Sequence, residues 1–437
     1  MLSLLRRLVP VAWLRLYHYL LARAAAWFYG HPSRELIVIG VTGTKGKTTT
    51  SYLIAKALEA KGDKVGLTST AVFKVGDREW VNNLKMTMPG RFFLQRMLRE
   101  MVKAGCRYAI VETSSQGLIQ SRHRGIAYDL AVFTNLTPEH LEAHGGFENY
   151  KRVKRVLFET LAALPFKYLN GELVPRVAIF NADDPAAHYY ADTPELKAVR
   201  WYGIEQEAEL RATNIQMTEA GSLFRVSEVD VQLPLPGHYN ISNALAALTV
   251  ADVLNIPLGA AAACLARIKQ VPGRFERIEA GQPWTAIVDY AYEPESLKKL
   301  YEVIKRLPHQ RIIHVFGSCG GGRDEARQPV MGHFVGREAD IAIVTNEDPY
   351  DDAPRQIIDR IAAAVREEGK KDGESLFCVD DRREAIQLAM NVAQPGDMVL
   401  MTGKGNEPWI CVANGKKLPW NEAEIAREAI QRAHQVQ

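Results

Sequence analysis

Gly43, Gly46, Lys47 and Thr48 stand in the run Gly43-Thr44-Lys45-Gly46-Lys47-Thr48-Thr49-Thr50, between an apolar stretch at residues 36–39 and a helix-like segment at 51–60. A glycine-rich turn between strand and helix lets backbone N–H groups close on phosphate oxygens. Lys47 would reach the terminal phosphates and Thr48 would offer a hydroxyl to Mg²⁺. The pattern predicts ATP binding. Val41 stands where the generic loop has its first glycine, so G-x-x-x-x-G-K-[ST] is matched imperfectly and the variant G-T-x-G-K-T-[ST] completely.

A second group of polar motifs occupies the latter part of the chain: 289–292 (DYAY), 317–324, 346–350 (NEDPY), 380–382 and 403–407 (GKGNE). Each follows a predicted buried strand, at 286–290, 312–316, 341–345, 376–379 and 398–402. The carboxyl edge of an open α/β sheet is where ligands bind, so five such motifs on one edge point to a site. Earlier in the chain, strand-like runs at 36–39, 108–111, 130–134 and 177–181 alternate with helical stretches. The expected fold is α/β: a central P-loop ATPase-type parallel sheet domain over 35–270 and a C-terminal Rossmann-like domain over 271–437. An amphipathic helical segment over 1–34 precedes them.

The 437 residues allow two or three domains with sizeable cores. Lys+Arg (54) nearly balance Asp+Glu (51), and no basic stripe interleaves with aromatics, which argues against a nucleic-acid partner. Five scattered cysteines with no C-x-x-C pair read as reduced thiols of a cytoplasmic protein. In the first 30 residues Arg6, Arg7, Arg15, His18 and Arg23 interrupt an apolar, aromatic sequence. That is too charged for a membrane span and lacks a signal-peptide cleavage pattern. One or two helices broken near Pro10 are expected. They either pack on their own domain or make peripheral contact with a membrane, at its inner face.

Taken in order, the motifs GTKGKTTT (43–50), ETSSQGLIQSR (112–122), FTNLTPEHLEAHG (133–145), YKRVKRVLF (150–158), FNADDP (180–185), PGHYNISNALAA (236–247), PGRFE (272–276), VDYAYEP (288–294), GGGRD (320–324) and GKGNE (403–407) resemble the Mur ligase superfamily. The likeness runs over roughly residues 37–407. It is greatest to the branch that adds the third amino acid to UDP-N-acetylmuramoyl dipeptide. The resemblance implies ATP-dependent amide-bond formation through an acyl phosphate, with a muramoyl-peptide acceptor and a free amino acid as substrates of a monomer. Gly43, Thr44, Lys45, Gly46, Lys47, Thr48 and Thr49 would hold the phosphates. Thr48, Glu112, His140 and Lys154 would hold Mg²⁺, Lys154 as a carbamate. For a zinc site, H-L-E-A-H has its glutamate in the wrong register. Asn181, Asp184, His238, Asn240, Arg274 and Asp289 resemble nucleotide contacts. Thr87, Ser114, Ser115 and Arg122 resemble acceptor contacts, and Arg323, Asp348, Tyr350, Lys404 and Glu407 fall where the added amino acid binds.

The sequence departs from that family in three places. Only about 34 residues precede the region of the phosphate loop, where the tripeptide-forming enzymes usually carry a UDP-binding domain, so the uridine end is expected to be held differently or to be absent. Tyr292 replaces the histidine of D-Y-A-H, and the glycine loop at 318–322 is one residue longer. Finally, Glu347-Asp348-Pro349-Tyr350 replaces D-N-P-R, whose arginine binds the distal carboxylate of meso-diaminopimelate. The acidic run Glu347, Asp348, Asp351 and Asp352 would suit a distal ammonium, as in lysine or ornithine, unless it is a solvated loop. Two other readings stay open: a folylpolyglutamate-synthetase-like ligase on a non-UDP acceptor, and a non-catalytic ATP-binding partner associated with a membrane.

Overall fold

The computed structural model describes residues 11–138, 144–218, 220–322 and 325–436. The chain divides into two compact units, Met1–Lys269 and Gln270–Gln437.

In the first unit, strands β1 (Ile37–Thr42), β2 (Lys64–Thr68), β3 (Val72–Val75), β4 (Arg78–Val81), β5 (Cys106–Glu112), β6 (Leu130–Phe133), β7 (Val177–Asn181), β8 (Val199–Gly203), β9 (Leu210–Thr218), β10 (Gly221–Val226) and β11 (Val229–Leu233) form one sheet. Its order is β11-β10-β9-β8-β7-β6-β1-β5-β2-β3-β4. The strands from β9 to β2 are parallel, as expected, and buried on both faces where their sequences are continuously apolar. Antiparallel strands extend both edges, which the sequence reading did not anticipate. They are short and carry exposed polar positions such as Arg78, Glu79 and Asp230, so no apolar run announces them.

β1 lies between β5 and β6: the chain passes from β1 to strands on the β5 side and then crosses from β5 to β6 on the other, so the carboxyl end of β1 is a switch point of the sheet. The phosphate loop occupies that point. Helix α1 (Val11–Phe28) packs on α3 (Arg91–Lys103), and α2 (Lys47–Leu58) follows the loop. Helix α4 (Phe147–Ala163) buries Tyr150, Lys154, Leu157, Phe158 and Leu161, positions at helical spacing on one face. Helix α5 (His238–Val253) packs on α2 and is largely apolar, with residues 243–251 buried without interruption.

In the second unit, β12 (Glu276–Ile278), β13 (Thr285–Asp289), β14 (Ile312–Phe316), β15 (Ile341–Thr345), β16 (Leu376–Val379) and β17 (Met398–Thr402) are ordered β12-β13-β17-β14-β15-β16. All but β12 run parallel. The five expected strands are therefore present, and the five polar motifs follow their carboxyl ends. Among the described residues no helix is long and apolar enough to cross a membrane.

Candidate active site

Asn135 holds the phosphate loop from the strand beside β1. Its carbonyl accepts the Thr44 N–H at 2.8 Å, its Oδ1 accepts the Lys45 N–H at 2.8 Å, and its Nδ2 donates to the Lys45 carbonyl at 3.0 Å. Thr134 Oγ1 donates to the same carbonyl at 2.7 Å. Gly46 has φ +78°, and a Cβ there would lie 2.4 Å from Asn243 Oδ1. Glycine is therefore required on two counts, backbone conformation and close approach. Asn243 in turn accepts the Thr50 hydroxyl at 3.0 Å, tying α5 to the first turn of α2. Lys47 Nζ folds back on the Thr44 carbonyl at 2.8 Å.

Behind the loop lies Glu112, the last residue of β5 and 1% exposed. Its carboxylate accepts the Thr48 hydroxyl at 3.0 and 3.1 Å, the Thr70 N–H at 2.6 Å and the Thr70 hydroxyl at 3.0 Å. Thr70 Oγ1 also lies 2.9 Å from Thr87 Oγ1, so a continuous chain of oxygens runs from the phosphate loop to the segment expected to touch the acceptor. Lys154 is 1% exposed; its Nζ donates to the Gly43 carbonyl at 2.6 Å and stands 4.4 Å from the centre of the Tyr150 ring. Tyr150 reaches the Thr44 hydroxyl at 3.2 Å. The donors near Thr48 are hard oxygens, suited to Mg²⁺. Among the described residues there is no cluster of three or more His, Cys, Asp or Glu able to hold a metal by themselves. His140 lies outside the described residues.

Ser114 caps the short helix Ser115–Ile119 by accepting the Gly117 N–H, and Ser115 Oγ lies 3.1 Å from His144 Nε2. Arg122 bonds Gln120 Oε1 at 2.6 Å and the Met88 carbonyl, joining the two acceptor segments. Asn181 donates to the Thr134 carbonyl at 2.9 Å, and Asp184 accepts the Leu136 N–H at 2.7 Å. These two side chains shape the 134–137 turn next to the phosphate loop. Asn240 donates to the Pro236 carbonyl at 2.8 Å, and His238 is exposed at the start of α5.

In the second unit Asp289 ends β13 and accepts the Phe275 and Ala291 N–H groups, each at 2.7 Å. Burial pushes its carboxyl up from the usual range, with the Arg274 guanidinium acting against this. Arg274 stacks over Tyr290 at 4.2 Å, and the Tyr290 hydroxyl donates to Glu407 at 3.0 Å. Gly273, at φ +66°, lets this segment touch residue 406: a Cβ would be 2.3 Å from the Asn406 nitrogen. Lys404 is fully buried and donates to Asp348 at 3.0 Å, Glu407 at 2.7 Å and the Trp409 carbonyl at 2.7 Å.

Each aspartate of the acidic run has a hydrogen-bond partner within the second unit. Asp348 is engaged with Lys404 and the Cys411 N–H, Asp351 with the Asn414 N–H, and Asp352 with the Gly321 N–H. Glu347 accepts the Cys319 thiol at 3.1 Å, and burial pushes its carboxyl upward in pKa. Glu347 and Asp348 are buried in the loop, while Asp351 is exposed and Asp352 half-buried. Tyr350, at φ +53°, lies against Gly321. Arg323 lies outside the described residues.

Thr70, Asn135 and Asn243 escaped the sequence reading. Thr70 follows β2 much as Glu112 ends β5, a placement at the carboxyl edge that would have drawn attention to it.

A phosphate loop at the switch point of a parallel sheet, with a buried carboxylate on the loop threonine, defines a nucleotide-dependent phosphoryl-transfer enzyme. Residues 41–251 match the Mur ligase middle domain, and residues 273–405 match the Mur ligase, glutamate ligase domain. The chain is 44% identical over 422 residues to the UDP-N-acetylmuramyl-tripeptide synthetase of Roseiflexus sp. (strain RS-1), covering 94% of this chain and 81% of that one. A solved UDP-N-acetylmuramoyl-L-alanyl-D-glutamate–2,6-diaminopimelate ligase superposes with a TM-score of 0.62 at 30% identity, over 91% of this chain and 79% of that one. The folylpolyglutamate synthase of Mycobacterium tuberculosis superposes at 0.68 with 17% identity, over 88% of this chain and 92% of that one, a likeness of fold alone. The chain belongs to the Mur ligase family: it is an ATP-dependent, ADP-forming ligase that makes amide bonds in peptidoglycan precursor synthesis.

Proposed function

We propose that the chain joins the amino group of a free amino acid to the terminal carboxylate of a muramoyl-peptide acceptor, working as a monomer. The observation that carries this reading is the oxygen chain from Thr48 through Glu112 and Thr70 to Thr87, which joins the phosphate loop to the acceptor segment. A carboxylate acylates amines poorly. Transfer of the γ-phosphoryl group to a carboxylate oxygen releases ADP and leaves an acyl phosphate. The amine attacks its carbonyl carbon and gives up a proton, and the tetrahedral intermediate collapses with cleavage of the C–O bond to phosphate. Lys47, swinging from the Thr44 carbonyl, would bind the terminal phosphates.

Thr48 and Glu112 would hold Mg²⁺, which when bound neutralises charge on the transferred phosphoryl group. Lys154 belongs to this set as a carbamate: its nitrogen adds to CO₂ with loss of a proton and keeps one N–H for the Gly43 carbonyl. It thereby presents anionic oxygen where an ammonium cannot.

For the added amino acid, Tyr350 offers no guanidinium to a distal carboxylate, so a diamino acid with a single carboxylate is preferred over meso-diaminopimelate by roughly 30- to 150-fold in kcat/KM. The enzyme works beside a membrane, touching it through residues before 30. The test is ADP release from purified protein with a panel of amino acids, using acceptors linked to UDP, to lipid or to neither. Release that depends on both acceptor and amino acid supports the reading. ATP turnover indifferent to every acceptor contradicts it, and preference for meso-diaminopimelate overturns the assignment resting on Tyr350.

A further inference from the structure

Helix α1 is more apolar on its outer face than on its inner one. Its inner face is a row of small residues: Ala22, Ala25 and Ala26 are buried, and Ala26 fits so closely over Gly125 that a Cβ there would lie 2.7 Å away. Its outer face carries Trp13, Leu16, Tyr17, Leu20 and Trp27, with Trp13 68% and Trp27 75% exposed. The spacing i, i+3, i+4, i+7 and i+14 is that of one helical stripe. The two tryptophans mark its ends, about 21 Å apart along the axis. Phe28 continues the stripe onto α3, where it meets the exposed Phe92 at 6.1 Å.

The helix is pinned rather than loose. Arg99 of α3 donates to the Tyr29 and Gly30 carbonyls, each at 2.9 Å, and pairs with Glu35 at 2.8 Å. The stripe exposes on the order of 600 Å² of apolar surface, the upper end of what monomers leave bare. It therefore has an occupant.

Charge identifies that occupant. The first 34 residues hold five Arg and no Asp, Glu or Lys; the chain totals 54 Lys+Arg and 51 Asp+Glu, so the other 403 residues carry 49 against 51. The protein's excess positive charge is thus confined to this segment. Exposed Arg23 and Arg124 flank the stripe, their guanidinium carbons 5.8 and 5.9 Å from the Tyr19 ring centre. A second copy docking here about a two-fold axis would bring these cations together with no acid on the helix to answer them. An anionic lipid surface answers both the charge and the aromatic stripe.

We propose that α1 is an interfacial helix that lies flat on an anionic bilayer, inserting Trp13, Leu16, Leu20 and Trp27 among the headgroups while Arg23 and Arg124 contact lipid phosphates. This sharpens the membrane contact proposed with the function, and it requires nothing of the ligase chemistry, since none of these residues belongs to the active site. Sedimentation of the full chain with phosphatidylglycerol–phosphatidylcholine vesicles, compared with pure phosphatidylcholine, is the test. The wild type should pellet with the anionic vesicles, release with salt, and show a blue-shifted tryptophan emission. The Trp13→Ser/Leu20→Ser/Trp27→Ser variant should bind at least about tenfold more weakly, with unchanged melting temperature and unchanged ADP release on a water-soluble acceptor. Arg23→Gln/Arg124→Gln should lose the preference for anionic lipid while keeping the fold. Equal binding to neutral and anionic vesicles, or no binding at all, overturns the proposal. So does a concentration-dependent dimer that the serine variant abolishes. A wild type that binds anionic vesicles but releases no ADP with any acceptor would instead count against the ligase reading.

Discussion

Glu112 meets hydroxyl or amide groups from both Thr48 and Thr70 while remaining 1% exposed. A buried carboxylate surrounded by donors of this kind is held in one orientation, the condition for acting on charge that develops nearby. Glu112→Gln keeps the shape and removes the charge. It should lower kcat/KM by roughly 10²- to 10³-fold with a melting temperature close to that of the wild type, measured by coupled ADP assay and calorimetry. A variant with wild-type turnover would remove Glu112 from the site. Lys154 needs a different test, because its role rests on the carbamate. Lys154→Ala should lose most activity and recover part of it when a short-chain carboxylate is added to the buffer; failure to recover, with the fold intact, would count against the carbamate.

The elements that carry these residues were readable to different degrees. Strands β1, β5, β6 and β7 and the five parallel strands of the second unit are dominated by apolar residues, and all but the half-buried edge strand β16 declare themselves because both faces are largely covered. Lys154 was legible for a related reason: its register with Tyr150, Leu157 and Phe158 places it on the buried face of α4 despite basic neighbours. Thr70, Asn135 and Asn243 were not legible. They act through partners 42, 90 and 193 residues away in sequence, and no local period encodes such contacts. The same holds for the acidic run at 347–352, whose carboxylates look solvated in sequence and are tied down by Lys404 and backbone N–H groups in space.

Two buried polar clusters make the second unit sensitive to pH and to the loss of a buried charge. His314 on β14 is fully buried between Tyr301 and Thr402, each hydrogen bond being 2.9 Å, and burial pushes its pKa down to about 3, with Arg382 adding to the effect. The folded value lies below the ordinary one of 6.5, so this site's stability is complete above pH 6.5 and is lost as pH falls toward 3. The slope approaches about 1.4 kcal/mol per pH unit within that window. His314→Gln should flatten the acid limb of urea-unfolding free energy against pH; an identical slope in variant and wild type would contradict the assignment. Lys404→Met, which leaves Asp348 buried without its cation, should cost roughly 3–5 kcal/mol. Adding Asp348→Asn should recover part of that loss in the same denaturation experiment.

At the scale of the whole molecule, the phosphate loop and the segment proposed to take the acceptor are linked by hydrogen bonds in the first unit, while the second presents five motifs along one sheet edge. The proposed reaction turns on a single intermediate, the acyl phosphate, and isotope transfer tests that intermediate most directly. An acceptor whose terminal carboxylate is labelled with ¹⁸O is incubated with ATP, Mg²⁺ and the preferred amino acid, and the released phosphate is analysed by mass spectrometry. The account predicts one ¹⁸O atom in each phosphate, carried over when the acyl C–O bond breaks. Amide product formed alongside phosphate free of ¹⁸O would contradict it.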